Sequence, residues 1–245
     1  MCTVTYLPTA DGVLITSNRD EKIQRTLAIP PQNYQVNGIE LVYPKDQDAA
    51  GSWIAMQETG QIAVLLNGAF QNHQPANPYN RSRGLVLLDI VASNDQDMAF
   101  KEIDLTNIEP FTLILYNPGK LTENRWDGHQ KHSRPFPSNA AHIWSSVTLY
   151  DEAVISSRQK WFREWLAITP VPDADSIQQF HLFGGKSDAH NNFRMNRNNE
   201  MLTVSVTCIS VSENEVTMFY TDLQQEIRQS VNLKLINLPQ LPACT

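Results

Sequence analysis

"VTYLPTADGVLITSNRDEK", residues 4–22, is the stretch whose reading decides the fold. Its two apolar runs, "VTYLP" and "GVLITSN", flank Asp11-Gly12, a strong hairpin signal. Antiparallel pairing of those runs places residue 2 and residues 17–20 at the same end of a sheet. A strand of this kind usually leads into Gly, Pro or a lone Asn. Here it leads into Asn18, Arg19, Asp20 and Glu21. Such a run is either a solvated turn with an incidental ion pair or the edge of a site.

Working outward, "SWIAMQETGQIAVLLNGA", residues 52–69, reads as a second hairpin with Thr59-Gly60 at its turn. "RGLVLLDIVAS", residues 83–93, suits a mostly buried helix, and "DQDMAFKEI", residues 95–103, a shorter one. "PFTLILYN", residues 110–117, returns to strand. Asp151 can N-cap a helix running to about Leu166. Val154, Trp161 and Trp165 share one side of it, with Ile155, Phe162 and Leu166 beside them. Within it, "KWFREW" at helical spacing reads as core. "SIQQFHLF", residues 176–183, is another short helix. "MLTVSVTCISV" and "EVTMFYTDL" form a last hairpin around Glu213-Asn214. Strands first, helices mid-chain and strands again imply an α+β layered domain of antiparallel hairpins with segregated helices.

The chain has 245 residues, enough to bury a substantial core as one large domain or two small ones. Hydrophobic residues at 41% and charged residues at 18% describe an ordinary globular composition. The formal net charge of −7 includes no basic cluster, which argues against nucleic acid as a partner. Apolar stretches such as "GLVLLDIVA" fall far short of the ~20 residues of a membrane span. "MCTVTYLPTADG" lacks the basic start of a signal peptide. Cys2, Cys208 and Cys244 are too few for a disulfide framework, so the expectation is a cytoplasmic protein with reduced thiols. No cofactor is expected from these features.

Cys2 carries the chemistry of the hairpin end. Methionine aminopeptidases remove Met1 before a small second residue, which would leave a thiol and a free α-amine on one residue. An α-amine titrates at about 8 and can take the thiol proton without help from a His. Arg19 can favour the thiolate by its charge, and Asp20 can accept from the α-ammonium or orient the amine. Nucleophile, base and orienter would then meet at one sheet end. The plain alternative is a small buried Cys opening an edge strand.

Other candidates are weaker. His129 and His132 in "DGHQKHS" are spaced for a metal on a helix, but Asp127-Gly128 and Pro135 indicate a loop, and no metal is expected. His73, His142, His181 and His190 show no pairing pattern and read as surface or satisfied buried residues. "FGGKSDAHNNFRMNRNNE", residues 183–200, lacks phosphate-loop spacing and reads as a mobile loop beside the site.

The motifs "MC" at 1–2, "SNRDE" at 17–21, "GSWIAM" at 51–56 and "LLNGAF" at 65–70, with "SRG" at 82–84 and "SVTLYD" at 146–151 as looser matches, resemble the NRDE proteins. That family includes the transport-and-Golgi-organisation group. It looks like a branch of the N-terminal-nucleophile hydrolases. The resemblance implies a single domain over 1–245 with a four-layer αββα sandwich. It also implies kinship with cysteine hydrolases of non-peptide amides, such as bile salt hydrolases and penicillin V acylases. By that similarity Cys2 would be nucleophile and base, Asp20 would hold the α-amine, and Asn67 would supply an oxyanion donor. Arg19 stands where those analogues carry an apolar residue, so its role belongs to this family. Asn18, Ser145 and Ser146 are candidate binding residues, either serine replacing an Asn of the analogues. Thr203 or Ser205 stands near where the analogues carry a late Arg, and Arg197 is the nearest upstream guanidinium. Three readings follow: a cysteine hydrolase of a small amide with an apolar acyl group, a non-catalytic carrier of haem or another apolar ligand, or a domain whose site has decayed.

Overall fold

The computed structural model describes residues 3–73, 79–185 and 188–236. Cys2, Cys244 and the Gly-Gly-Lys lysine at 186 lie outside the described residues. In chain order the elements are β1 (Thr3–Thr9), β2 (Gly12–Lys22), β3 (Ile29–Val36), β4 (Ile39–Lys45), β5 (Ile54–Gln57) and β6 (Ile62–Asn67). Helices α1 (Arg83–Val91) and α2 (Gln96–Glu102) follow. Next come β7 (Phe111–Asn117), β8 (Lys120–Trp126), β9 (Lys131–Phe136) and β10 (His142–Ser145). After α3 (Glu152–Ile168) and α4 (Ala174–Phe183), the chain closes with β11 (Asn196–Arg197), β12 (Met201–Val211), β13 (Glu215–Asp222) and β14 (Ile227–Lys234).

The strands form two antiparallel sheets. One runs β10-β1-β2-β12-β13-β14 with β11 on the flank of β12; the other runs β3 to β9 in sequence order. Period-two alternation gives each sheet two apolar faces. Val4, Tyr6, Val13, Ile15, Ile209 and Met218 of the first sheet pack against Ile54, Met56, Val64 and Ile114 of the second. The outer face of the second sheet is covered by α1 and α2 through Leu87, Ile90, Val91 and Phe100. The outer face of the first is covered by α3 and α4, with Phe162, Ile177 and Phe180 on Leu7, Leu14 and Cys208. Helix, sheet, sheet, helix is the αββα sandwich.

Local chemistry explains the boundaries. Ser82, Asp95, Asp151 and Asp173 each N-cap a helix by accepting a backbone N–H, and Asp173 with Ser176 makes a capping box. The β1–β2 turn falls at Ala10-Asp11, one residue before the expected position, because Gly12 already pairs with Thr9. Gly12 serves a different purpose. Its φ is +150°, and a Cβ there would lie 1.9 Å from the Val211 carbonyl oxygen, so only glycine lets β12 approach.

Several expectations change. "DGHQKHS" is not wholly a loop: the chain enters β9 at Lys131, and His132 and Pro135 lie in that edge strand, where proline is tolerated. His132 bonds Asp127 at 2.7 Å. Residues 188–200 are anchored, contrary to the mobile loop expected, since Phe193 and Met195 are buried at 0% and 1% exposure. His181 is a satisfied buried residue. No helix among the described residues is long and apolar enough to cross a membrane.

Candidate active site at the strand ends

The end of β2 distributes the "NRDE" side chains to its two faces. Leu14 and Thr16 face the helices and Ile15 faces the second sheet, so Asn18 and Asp20 share the helix side while Arg19 looks between the sheets. Val204 is the extra residue of a bulge in β12, where the register shifts between Thr203 opposite Asp20 and Ser205 opposite Arg19.

Asp20 is 2% exposed. Its Oδ2 accepts from the Tyr150 hydroxyl at 2.6 Å and its Oδ1 from the Thr203 hydroxyl at 2.5 Å. Thr203 in turn accepts from the Met195 amide at 2.9 Å. Asn18 is fully buried, and its amide N–H₂ donates to the His181 and Phe193 carbonyls at 3.1 and 2.8 Å. That fixes its Oδ1 as the acceptor of His181 Nδ1–H, and leaves His181 Nε2 to accept from Thr5 at 2.8 Å. Burial, with help from the Arg158 charge, pushes the His181 pKa down to about 3, so this imidazole is neutral. Asn18 therefore ties α4 to the sheet and lies away from the cleft described next.

Arg19 is 4% exposed and committed on the other face. Its Nη2 meets Asp46 Oδ2 at 2.6 Å and Glu21 at 3.7 Å, and its guanidinium lies 4.4 Å from the Trp53 ring centroid. Asp46 also takes Arg25 bidentately, at 3.0 and 2.9 Å, and the amides of Asp48 and Ala49. Burial alone would push the Asp46 carboxyl up. The Arg25 and Ala49 hydrogen bonds and the Arg19 and Arg25 charges outweigh it and hold the group below the usual carboxylate range.

Arg19 and Asn67 line one cleft of about 480 Å³, together with Asp46, Trp53, Arg83 and Glu109. Asn67 ends β6, and its backbone carbonyl accepts from the Ser146 hydroxyl at 2.8 Å, joining the two sheets. Its side-chain amide has no hydrogen-bond partner among the described residues. Gly68 makes that junction possible: at φ +79° a Cβ would come within 2.8 Å of methyl groups of both Val147 and Thr148. Ser145 and Ser146 line a recess of about 20 Å³ that Asn67 also borders. Thr3, the first described residue of β1, pairs with Asn18 on one side and Ser145 on the other.

The structure thus gathers Arg19 and Asn67 on one cleft and Ser145, Ser146 and Asn67 on one recess. Asp20 and Asn18 stand on the opposite face of β2. Sequence reasoning missed Asp46, Tyr150 and Arg158. Arg158 is fully buried in α3, donates to Thr3 Oγ1, and sits with its guanidinium carbon 3.8 Å from the Tyr150 ring centroid. Its signal was legible: at four residues from both Val154 and Phe162 it interrupts the apolar face of α3. Among the described residues no group of three or more His, Cys, Asp or Glu is placed to hold a metal ion.

This sandwich is the N-terminal-nucleophile hydrolase fold. A C2A mutant of the conjugated bile acid hydrolase from Clostridium perfringens superposes with a TM-score of 0.59 at 13% identity, covering 94% of this chain and 92% of that one. Another variant of the same hydrolase gives 0.59 at 14%, covering 98% and 100%. The Caenorhabditis elegans ortholog of N-acylethanolamine-hydrolyzing acid amidase gives 0.57 at 13%, covering 85% and 92%. At such identities the likeness concerns the fold. No curated protein matches the chain by sequence. The chain belongs to the Transport and Golgi organisation 2 family, whose sequence pattern matches residues 1–167.

Proposed function

We propose that this chain is an N-terminal-nucleophile cysteine hydrolase of a small non-peptide N-acyl amide, acting in the cytoplasm with residues 1–245 as one unit. Removal of Met1 makes Cys2 the first residue. Its Sγ attacks the amide carbonyl carbon while its α-amine takes the thiol proton. The Asn67 amide donates to the developing oxyanion. The C–N bond breaks as the amine returns that proton to the leaving nitrogen, giving an acyl thioester. Water then attacks the thioester, releasing a carboxylic acid and restoring the thiol. Asp20 orients the amine, and Arg19, held by Asp46 and Trp53, forms the charged wall of the cleft. Ser145 and Ser146 flank the acyl group.

The observation that carries this reading is convergence on Thr3, the neighbour of Cys2. The ends of β2 and β10 pair with it directly, and Ser146 brings the end of β6 to the same place. The conjugated bile acid hydrolase and the N-acylethanolamine-hydrolyzing acid amidase, both named as hydrolases, share the fold. A second reading, a carrier of haem or another apolar ligand, draws on Trp53, Leu65 and Tyr79, which give the cleft an apolar wall.

The test is a panel of N-acyl amides and a haem titration on the native chain and on Cys2→Ala. The hydrolase reading expects turnover that Cys2→Ala abolishes. No cleavage of any amide, with haem bound tightly by both forms, would replace it with the carrier.

A further inference from the structure

Arg158 presents an unusual arrangement. It is a fully buried cation, and no carboxylate among the described residues lies within ion-pair distance of it. Burying a charge in this way is costly unless hydrogen bonds or aromatic faces take the place of a counter-ion. Its Nη2 donates to the Asn192 carbonyl at 2.6 Å and to the Asn191 carbonyl at 3.1 Å, and its Nη1 donates to Thr3 Oγ1. The Tyr150 ring lies 3.8 Å and the Phe193 ring 5.2 Å from the guanidinium carbon. The hydroxyl of the same Tyr150 donates a hydrogen bond to Asp20 at 2.6 Å. Arg158 therefore touches the residue next to Cys2 directly and reaches Asp20 through a single ring. For packing alone, a methionine or leucine would fill the site without the desolvation cost.

We infer that Arg158 is a positioning residue of the N-terminal nucleophile: it fixes Thr3 at the start of β1 and, by polarising Tyr150, strengthens the hydrogen bond that holds the Asp20 side chain in place. This rests on the assignment of Cys2 as nucleophile. A cation over a phenol ring draws electron density from it and makes the hydroxyl a better donor. The donated bond spreads the Asp20 charge, and the nearby guanidinium offsets it. Removing either contribution leaves a more negative surrounding for Cys2, so its thiol should ionise at higher pH. Other groups facing this chain are the Thr203 hydroxyl on Asp20, Arg197 at 5.3 Å from the Tyr150 ring centroid, and His181 behind Asn18. With its pKa pushed down to about 3, His181 does not titrate between pH 5 and 9 and will not mimic the effect.

The experiment is the pH profile of iodoacetamide labelling at Cys2 in the native chain, Arg158→Gln, Arg158→Lys, Tyr150→Phe and the double variant, with folding checked by circular dichroism. Arg158→Gln and Tyr150→Phe should both move the midpoint to higher pH. Each should slow labelling at pH 7 roughly threefold to tenfold, corresponding to half to one pKa unit. Arg158→Lys should restore part of the loss. The effect of Arg158→Gln should shrink in the Tyr150→Phe background, because its path runs through that ring. Should Arg158→Gln fail to fold, Tyr150→Phe still decides, since it removes only a hydroxyl. A perturbed native profile left in place by the folded variants overturns the Arg158 role alone. A native Cys2 that titrates as an ordinary thiol overturns the nucleophile reading and the Arg158 role together.

Discussion

Arg19 and Asp20 are neighbours in the chain and point to opposite faces of β2, Arg19 to Asp46 between the sheets and Asp20 to Tyr150 beneath the helices. The four-residue "NRDE" run is therefore two half-sites joined by a strand. One half anchors the wall of a cleft, and the other closes a buried network against α3 and α4. Substitutions in the two halves should have separable consequences.

Asp46 tests the first half. It is the shared acceptor of Arg19 and Arg25, and among the described residues Arg19 has only Glu21 as a further anionic partner, at 3.7 Å. Asp46→Asn should lower stability by about 3 kcal/mol, because a buried guanidinium loses its main charge partner. Chemical denaturation should show a lower midpoint at an unchanged slope. The native Asp46 pKa lies below its ordinary 3.8, so its contribution is present above that pH and fades as the pH falls through the folded value.

His181 tests the second half. Its folded pKa of about 3 lies below the ordinary 6.5, so the unfolded chain binds the extra proton between those values. Stability should be full above about pH 6.5 and fall on acidification towards pH 3, at a limiting slope of about 1.4 kcal/mol per pH unit. The melting temperature measured from pH 8 to pH 4 would show this. In His181→Gln the same window should be flatter, although that protein starts less stable. A native profile that is flat from pH 6.5 to 4 contradicts the buried neutral imidazole.

Three hairpin or strand segments and the helices were legible in the sequence because their signals are local: a cap at Asp151, turns at Gly60 and Glu213-Asn214, and an apolar face on α3. Strands β3, β4, β8 to β11 and β14 were not read, although Asn37-Gly38 between the first two has the positive φ values of a tight hairpin turn, 53° and 80°. Pro30 and Pro31 obscured the strand before that turn, tolerable only because β3 is an edge. The pairing of Asp20 with Tyr150 is 130 residues apart in the chain, and that of Thr3 with Arg158 is 155. No spacing rule reaches that far. Only the stacking of α3 on the first sheet brings them together.

Gly12 offers a test of that stacking of strands. A Cβ at 1.9 Å from a backbone carbonyl oxygen cannot be relieved by a side-chain rotamer change. Gly12→Ala should force β12 away from β2 and lower stability by about 2 kcal/mol or more, the range for strain at a special φ. Thermal melting of the variant checks it. A melting temperature equal to that of the native chain would mean the two strands do not approach as described.

Cysteine labelling separates structural from reactive thiols. Burial pushes the Cys208 thiol up to about 12, and it sits under α4 with 0% exposure. Cys208 should resist iodoacetamide at pH 7 in the folded protein and react only on unfolding. Cys2, as the proposed nucleophile, should be the fastest of the three cysteines, and intact mass should show Met1 removed. Peptide-resolved labelling rates decide the order. If Cys244 leads, Cys2 is not activated.

Asn67 carries the last prediction, because its location and its role can be separated. Its backbone is fixed by Ser146 across the sheets and by pairing with Phe111 in β7, so truncating the side chain leaves these main-chain contacts in place. Asn67→Ala should therefore melt within a few degrees of the native chain. If the amide donates to the oxyanion, the same variant should lose about 100-fold or more in kcat on any amide that the native protein cleaves, with KM changed far less. Asn67→Asp keeps the size but cannot donate when ionised, and should be at least as poor. Ser146→Ala removes the hydroxyl that positions Asn67 and should show a smaller loss of turnover. Steady-state rates on a hydrolysed N-acyl amide, measured for all three variants, test this order. Turnover by Asn67→Ala within a few-fold of native would remove Asn67 from the oxyanion site and leave it as a wall of the cleft.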